Sequence, residues 1–487
     1  MRRLFLPVLI LAVVIAASVL ADRANRAADP GDPQPTVVGD SLRTPVINAR
    51  RVPEWLRRPT SNREFEEALT NVLNQPEVPT ARCLRVHRNG IEIAVEKPAV
   101  RLIPAELQRF VTIAAVESLG TETVFVTKVV SNSVNAVTDG VLEGDIWLVG
   151  GGDPVLSTDG YLTRFNDDRA ATSLDRLAAD LAIELRQRGI SELSGGVIGD
   201  EFRFSPSETD YVGTVWTETD NADNVVGPLS GLLVNDGFRF NSETNTITRS
   251  EDPAAMAAEI LSDLLVQRGI VIGAEPTTGE QPPSAQQDLL ASIESPPIAE
   301  IAQRALIDGT TAEMLFKEVG RVNGLSPASN DAAFGMLVTL VQQGLPVEGT
   351  LPLDGSGLSN RDRVTCDLLM AIIEQRRADG IVDAALRGIG DGALAACAPP
   401  GGSTMRVISA DRGRITALVG EMVADNGAVI TFALVANADN SASGSLGPCN
   451  TIQTSLLEAV SRYPYGYGPA LDSISPLAVT PASDTVG

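Results

Sequence analysis

The stretch Pro104-Ala105-Glu106-Leu107-Gln108-Arg109 sets a carboxylate and a guanidinium three positions apart, the spacing that brings two side chains onto one face of a helix. A pair of ionisable groups so placed suggests proton-transfer chemistry, but a guanidinium stays protonated in proteins, so Arg109 cannot serve as a base. Glu106 is a poor substitute for an alkoxide nucleophile. An ion pair worth about 0.2–0.5 kcal/mol accounts for both residues without catalysis. Other reactive groups are scarce. The single histidine, His87, rules out an H-E-x-x-H zinc site and would have to serve any Ser-His-Asp triad; two residues before a predicted turn, it reads as a surface residue. The lysines are Lys97, Lys128 and Lys317, preceded at three positions by Ala94, Phe125 and Met314, so no Ser-x-x-Lys occurs. There is no G-x-S-x-G elbow and no P-loop: "GGGDP" at 150–154 lacks the phosphate-binding lysine and reads as a tight turn. Ser356, inside "DGSGLS" (354–359), reads as part of a structural turn.

The elements that must position these groups are legible from periodicity. Pro104 suits a first helical position, Leu107, Val111 and Ala114 recur on one face, and Gly120 is a natural stop, so 104–119 is predicted helical. Before it, "RCLRVHRNGIEIAVEK" alternates apolar and polar residues around Asn89-Gly90, a hairpin signal. Between 130 and 300, strands and helices mix. "TSLDRLAADLAIELRQRGI" aligns Leu174, Leu177, Leu181 and Leu185, and "AAMAAEILSDLLVQRGI" ends on the same Gln-Arg-Gly-Ile, each helix followed by a strand. From 299, "AEIAQRALIDGTTAEMLFKEVG" reads as helical and "SPASNDAAFGMLVTLVQQG" as another helix. Two strands, "GRITALVGEMV" and "AVITFALVANA", and the amphipathic "NTIQTSLLEAVSRY" close the fold. A hairpin and helix early, with strands and a helix late, predict one domain whose halves are separated by an insertion.

The chain has 487 residues, 44% of them hydrophobic, which predicts several globular domains; its formal net charge of -24 opposes nucleic-acid binding. Met1-Arg2-Arg3 followed by the apolar run Leu4–Ala21 reads as an export signal or a membrane anchor, and either places the bulk of the chain outside the cytoplasm. Residues 22–62 read as a linker and 466–487 as a flexible tail. Cys83, Cys366, Cys397 and Cys449 fit an oxidising compartment as two bridges, with three pairings open; their spacing does not suit a metal, and no cofactor is indicated.

In its ordered motifs the chain resembles the class C, low-molecular-mass penicillin-binding proteins, serine D-alanyl-D-alanine carboxypeptidases and endopeptidases. The likeness runs through "RLIPAELQRFVTIAAVESLG", "GGGDPVLS", "GDEFRFSP", Trp216, "GPLSGLLVNDG", "TAEMLFKEVG", "LPLDGSGLSNRDRVT" and "GIGDGALAACAPP", over about residues 80–462, and "TPVINARRVPEWL" is similar to the lead of actinobacterial members. The resemblance implies an α/β (α+β) fold: a penicillin-binding-protein/β-lactamase-like transpeptidase domain, an antiparallel sheet with flanking helices, over 63–130 plus 299–465, with inserted mixed α/β domain(s) over 131–298. It implies acyl transfer to a serine activated by a lysine one helical turn away, with Ser-x-Asn and Lys-Thr-Gly completing the site.

Carried over residue by residue, that implication fails at all three motifs. Glu106 and Arg109 stand at the nucleophile and base; Ile307, Asp308 and Gly309 at Ser-x-Asn; Ile408, Ser409 and Ala410 at Lys-Thr-Gly. The expectation is a silenced peptidase in the cell envelope that binds peptidoglycan stem peptide or an envelope protein. Alternatives are an active serine-type D-alanyl-D-alanine carboxypeptidase in peptidoglycan metabolism working through an unrecognised site, an envelope hydrolase in which, for example, Glu106 and Asp308 act on water, and a purely structural partner. The resemblance also implies that the first hairpin packs against the last helix, hence bridges Cys83–Cys449 and Cys366–Cys397.

Overall fold

The computed structural model describes residues 54–465 apart from 166–168, 205–214, 218–223, 324–328, 377, 379, 392–393, 401–403 and 439–448. The apolar run 1–21 and the tail 466–487 lie outside the described residues. Of the linker expected over 22–62, residues 22–53 lie outside the described residues and 54–62 belong to helix α1, which spans Glu54–Leu73 with Pro59 inside it. Its apolar residues Phe65, Leu69 and Val72 are buried, and a segment that buries such a face orders as helix whatever its polar flanks suggest.

The main sheet draws on both ends of the described chain. β1 (Ala81–Arg88) and β2 (Ile91–Glu96) form the expected hairpin, whose turn residues Asn89 and Gly90 adopt φ of 49° and 72°. From the last third come β8 (Arg387–Gly388), β9 (Met405–Arg412), β10 (Ile415–Val423) and β11 (Val429–Asn437), giving the antiparallel order β8-β9-β10-β11-β1-β2. The segment between contributes a second sheet, β6-β5-β4-β3-β7, made of β3 (Val126–Asn132), β4 (Ile146–Val149), β5 (Val197–Asp200), β6 (Thr277–Thr278) and β7 (Gln287–Glu294). Strands β4, β5 and β6 run parallel, and β3 is antiparallel to both neighbours. Against this sheet pack α3 (Leu174–Gln187) and α4 (Pro253–Gln267), capped by Ser173 and Asp252. The predicted stripe of Leu174, Leu177, Leu181 and Leu185 is wholly buried there.

Helices cover both faces of the main sheet. On one lie α2 (Gln108–Val116), α5 (Ile298–Ala305), α6 (Gly309–Val322), α7 (Ser329–Gln342) and α8 (Cys366–Gln375); on the other lie α1 and α9 (Thr451–Ser461). Every residue of α2 is buried, so this helix is a core element rather than the amphipathic one its spacing suggested. The stretch from 299, expected as one helix, is two: Asp308 accepts a hydrogen bond from the Thr311 amide and restarts the chain as α6.

Period two in β1 decides two further corrections. Cys83, Arg85 and His87 face α8, whereas Leu84 and Val86 face α1 and α9. Cys83 therefore meets Cys366 at the start of α8, Cα atoms 6.0 Å apart, while Cys397 and Cys449 pair across the opposite face with Cα atoms 5.6 Å apart. The pairing expected from the hairpin and last helix fails because Cys449 lies on the side of the sheet that Cys83 turns away from. His87 is also buried rather than a surface residue: β1 is an interior strand, a bulge falls between Val86 and His87, and Nδ1 lies 2.7 Å from Glu374 Oε1 of α8.

Beneath α2 runs the loop "DGSGLS", held by buried carboxylates. Asp354 accepts from Trp216 Nε1 (2.6 Å) and from the Gly357 and Ser359 amides (2.7 Å each). Glu313 of α6 accepts from the Gly355 and Ser356 amides at 3.1 and 2.8 Å, and Asp362 from the Leu353 amide at 2.7 Å. Burial, then the Asp354 charge, pushes the Glu313 carboxyl up to about 8 and that of Asp362 well above the usual carboxylate range. The knot thus carries fewer negative charges than its three acids suggest.

Two outcomes follow. Peptide mapping without reduction should recover Cys83 joined to Cys366 and Cys397 to Cys449, and removing the first bridge, which closes 283 residues, should cost about 5 kcal/mol; a Cys83–Cys449 peptide would refute the arrangement. The folded state holds the Glu313 proton to about pH 8 while the unfolded chain releases it near 4.5, so this group makes stability fall as pH rises through that window. Stability should be greater at pH 6 than at pH 8.5 by on the order of 2 kcal/mol, read as a higher Tm on thermal unfolding, with Glu313→Gln shrinking the difference; a profile equally steep in the variant would rule out this source.

Candidate functional site

The residues at the three motif positions converge where β9 passes the turn that opens α2. That turn is strained. Ala105 sits at φ 49°, a left-handed conformation that a non-glycine residue holds only when its surroundings impose it. The surroundings here are the "DGSGLS" loop: a Cβ on Gly357, itself at φ 82°, would lie 1.9 Å from the Ala105 carbonyl oxygen, so only glycine allows the approach.

Beyond Ala105 the expected Glu106–Arg109 ion pair does not form. The Arg109 guanidinium is buried and donates from Nε to the Ser356 carbonyl (3.0 Å) and from Nη1 to the Leu306 carbonyl (3.2 Å). It thereby ties α2 to the loop below and to the break between α5 and α6. Burial lowers its pKa, and the surrounding charges of Glu106, Asp308, Asp354 and Glu313 act in the opposite sense. Glu106 is partly exposed, and its Oε2 is shielded from solvent without a hydrogen-bond partner.

At the second motif position, Ile307 is 65% exposed and presents an apolar side chain to solvent. Asp308 is committed twice, capping α6 and pairing with Arg304 Nε at 3.3 Å. Arg304, buried, also binds Asp236 Oδ1 at 2.7 Å, and the Tyr161 hydroxyl donates to the other Asp236 oxygen at 3.0 Å. Burial, then the Asp308 charge, raises the Asp236 carboxyl to about 6 despite Arg304. Gly309 leaves no room for an amide side chain: a Cβ there would lie 2.7 Å from the Val225 carbonyl oxygen and 2.8 Å from Val226 Cγ2. A Glu106–Asp308 pair acting on water therefore begins with Asp308 already occupied.

At the third, Ile408 and Ala410 are both buried in the core that contains Leu107 and Phe110 of the α2 region. The position expected from the resemblance to offer an ammonium to a carboxylate is occupied by a buried isoleucine. Sequence reasoning missed the polar group next to it. Asp411 accepts from Gln453 Nε2 at 2.9 Å to each oxygen, from Thr416 Oγ1 at 3.0 Å and from Asn450 Nδ2 at 3.0 Å, and burial raises its pKa. The acids Glu313, Asp354 and Asp362 were missed as well. No local spacing signals either group, because each is completed by a partner 42 residues away, Gln453 for Asp411 and the Gly355 amide for Glu313.

Among the motif positions there is no thiol or amine, and the only hydroxyl, on Ser409, has no neighbouring base in the motif. Ser356 is wholly buried. Among the described residues no cluster of histidine, cysteine and acidic side chains suits a metal ion, and all four cysteines are bridged.

Comparison with known proteins joins this geometry to a family. The chain is 27% identical to carboxypeptidase DacB of Mycolicibacterium smegmatis over 93% of its own length and 94% of that protein's. It is 25% identical to the D-alanyl-D-alanine carboxypeptidase of an Actinomadura species, over 59% of this chain and 62% of that one. Its fold is similar to the crystal structure of penicillin binding protein 4 from Haemophilus influenzae, with a TM-score of 0.64 and 18% identity over 82% of this chain and 99% of that one. The α/β fold expected of a penicillin-binding-protein-like domain is therefore the fold observed. Since the model of the D-Ala-D-Ala carboxypeptidase 3 (S13) family matches residues 65–246 and 239–447, the chain belongs to that family.

Proposed function

We propose that this chain is a catalytically silent member of its family, acting outside the cytoplasm as a binding module for peptidoglycan stem peptide. In this reading 63–130 and 299–465 make the peptidase-like unit and 131–298 the insert. One observation carries the reading: at each motif the side chain that would react or receive substrate is replaced by one the fold uses for itself. Arg109 bonds two carbonyls, Gly309 makes room for the Val225 carbonyl, and Ile408 with Ala410 fills core. Acyl transfer needs a nucleophile and a neutral base within reach, and a buried guanidinium supplies neither. Glu106, whose buried Oε2 has no partner, favours a second reading in which one carboxylate activates water. The exposed Ile307 suits contact with an envelope protein instead. Two bridges formed from all four cysteines agree with an oxidising compartment.

A fluorescent penicillin should leave the native protein unlabelled, and D-alanine should not be released from a stem-peptide mimic faster than in buffer. The double variant Glu106→Ser with Arg109→Lys should stay unlabelled too, because Ile307, Gly309, Ile408 and Ala410 still exclude the other polar groups. Labelling of the wild type that disappears on prior denaturation, or measurable D-alanine release, would end the silent-enzyme reading. Retention of soluble stem-peptide fragments without turnover should accompany it.

A further inference from the structure

Away from the motif positions, a crevice of about 420 Å³ opens at the carboxyl ends of β4 and β5, beside the start of β3, with Arg321 of α6 on its far wall. Ligands of sheets with parallel strands gather outside those carboxyl ends. Arg321 lies 13 residues beyond Asp308, about 20 Å along the helix at 1.5 Å per residue, so the crevice is separate from the family's catalytic positions.

Its chemistry stands out in a chain carrying a net charge of -24. Lys128, one of only three lysines, lines it and spends one donor on Gln287 Oε1 at 2.9 Å. Arg203 and Arg321 both grip the same carboxylate: Glu318 lies 3.1 and 2.7 Å from Nε and Nη2 of Arg203, and 2.9 and 2.7 Å from those of Arg321. Two guanidiniums sharing one carboxylate leave this corner positive, and each Nη1 has no hydrogen-bond partner among the described residues. Asp200 on the floor keeps its charge but turns one oxygen to the Phe202 amide and the other to the Gln281 amide, at 2.9 Å each, while Glu280 is exposed at the rim. Apolar surface flanks the cations, with Phe202 52% and Val126 44% exposed.

We infer that this crevice binds the terminal carboxylate of a short peptide whose last side chains are small and apolar. Spare N–H donors on Lys128, Arg203 and Arg321 match a carboxylate, the apolar rim matches its neighbours, and the volume admits two or three residues rather than a folded partner. The inference rests on the peptide-binding part of the proposed function and moves the binding from the motif cleft to the insert.

Titration calorimetry on the full chain with acetyl-D-Ala-D-Ala and with its C-terminal amide tests this, using Lys128→Met, Arg321→Met, Phe202→Ser and Ile307→Trp, which adds bulk at an exposed motif position. Expected are binding of the acid, at least about tenfold weaker binding of the amide, and similar losses for Lys128→Met and Arg321→Met, as befits charge-assisted hydrogen bonds. Phe202→Ser should weaken the acid more modestly, and Ile307→Trp should leave it unchanged. Equal binding of acid and amide refutes the inference, as does competition by inorganic phosphate at equal concentration. Loss of binding in Ile307→Trp but not in Lys128→Met also refutes it, while leaving a peptide-binding protein that uses the motif positions. Absence of any binding refutes the inference and the peptide-binding reading together. A variant with a lowered Tm is set aside in favour of Phe202→Ser, whose half-exposed ring is the change least able to disturb folding.

Discussion

The arrangement around the motif positions depends on how one buried cation is satisfied. A guanidinium removed from water costs several kcal/mol unless its hydrogen bonds are replaced and opposing charge is near. Arg109 meets both demands, with the Ser356 and Leu306 carbonyls in contact and Glu106, Asp308, Asp354 and Glu313 in electrostatic range. Those two carbonyls belong to the loop beneath α2 and to the break between α5 and α6. A single side chain thus fixes the relative positions of three segments. The loop is fixed a second time from below by Asp354 and Glu313, so the turn at Ala105 has no slack to relax into.

That rigidity explains why strain persists at Ala105. A left-handed alanine costs on the order of 1–3 kcal/mol and survives only where neighbours over-determine it. Here the close approach of Gly357 does so. Backbone strain can serve a function by aiming a side chain, and the side chain aimed here is Glu106, which has no hydroxyl to deliver. The scaffold and the chemistry have separate physical requirements. The first is set by glycines, buried acids and apolar contacts spread over the chain, the second by a few side chains whose replacement leaves the packing intact.

The sequence disclosed what is local. The stripe of Leu174, Leu177, Leu181 and Leu185 marks α3, Asn89-Gly90 closes the first hairpin, and the three lysines alone exclude Ser-x-x-Lys. It misled where tertiary structure chooses between local options. The run from 299 is apolar enough for one helix, yet Asp308 restarts it. The alternation of Cys83, Arg85 and His87 with Leu84 and Val86 was written in the sequence, but which helices cover which face was not. The bridges and the burial of His87 both follow from that one unknown. Asp411 with Gln453, and Glu313 with Asp354, are pairs 42 and 41 residues apart, which no periodicity links.

In the proposed reading, the carboxylates near the motif positions differ in kind from those of a reacting centre. Catalytic acids and bases are held near their working pH and face a reactant. Glu313 and Asp362 have raised pKa values but are sealed from solvent and occupied by backbone amides, so the shift reports the cost of burial. Asp236 is raised first by burial and then by the charge of Asp308, which shares its partner Arg304. Only Glu106 combines a partly exposed side chain with an unsatisfied oxygen, and it sits between a permanent cation and a wall of hydrocarbon. A carboxylate so placed suits holding a donor group of a bound molecule better than cleaving an amide, since cleavage would also require a second group to protonate the leaving nitrogen. In the proposed reading Asp308, already bound to the Thr311 amide and to Arg304, is not free to do so.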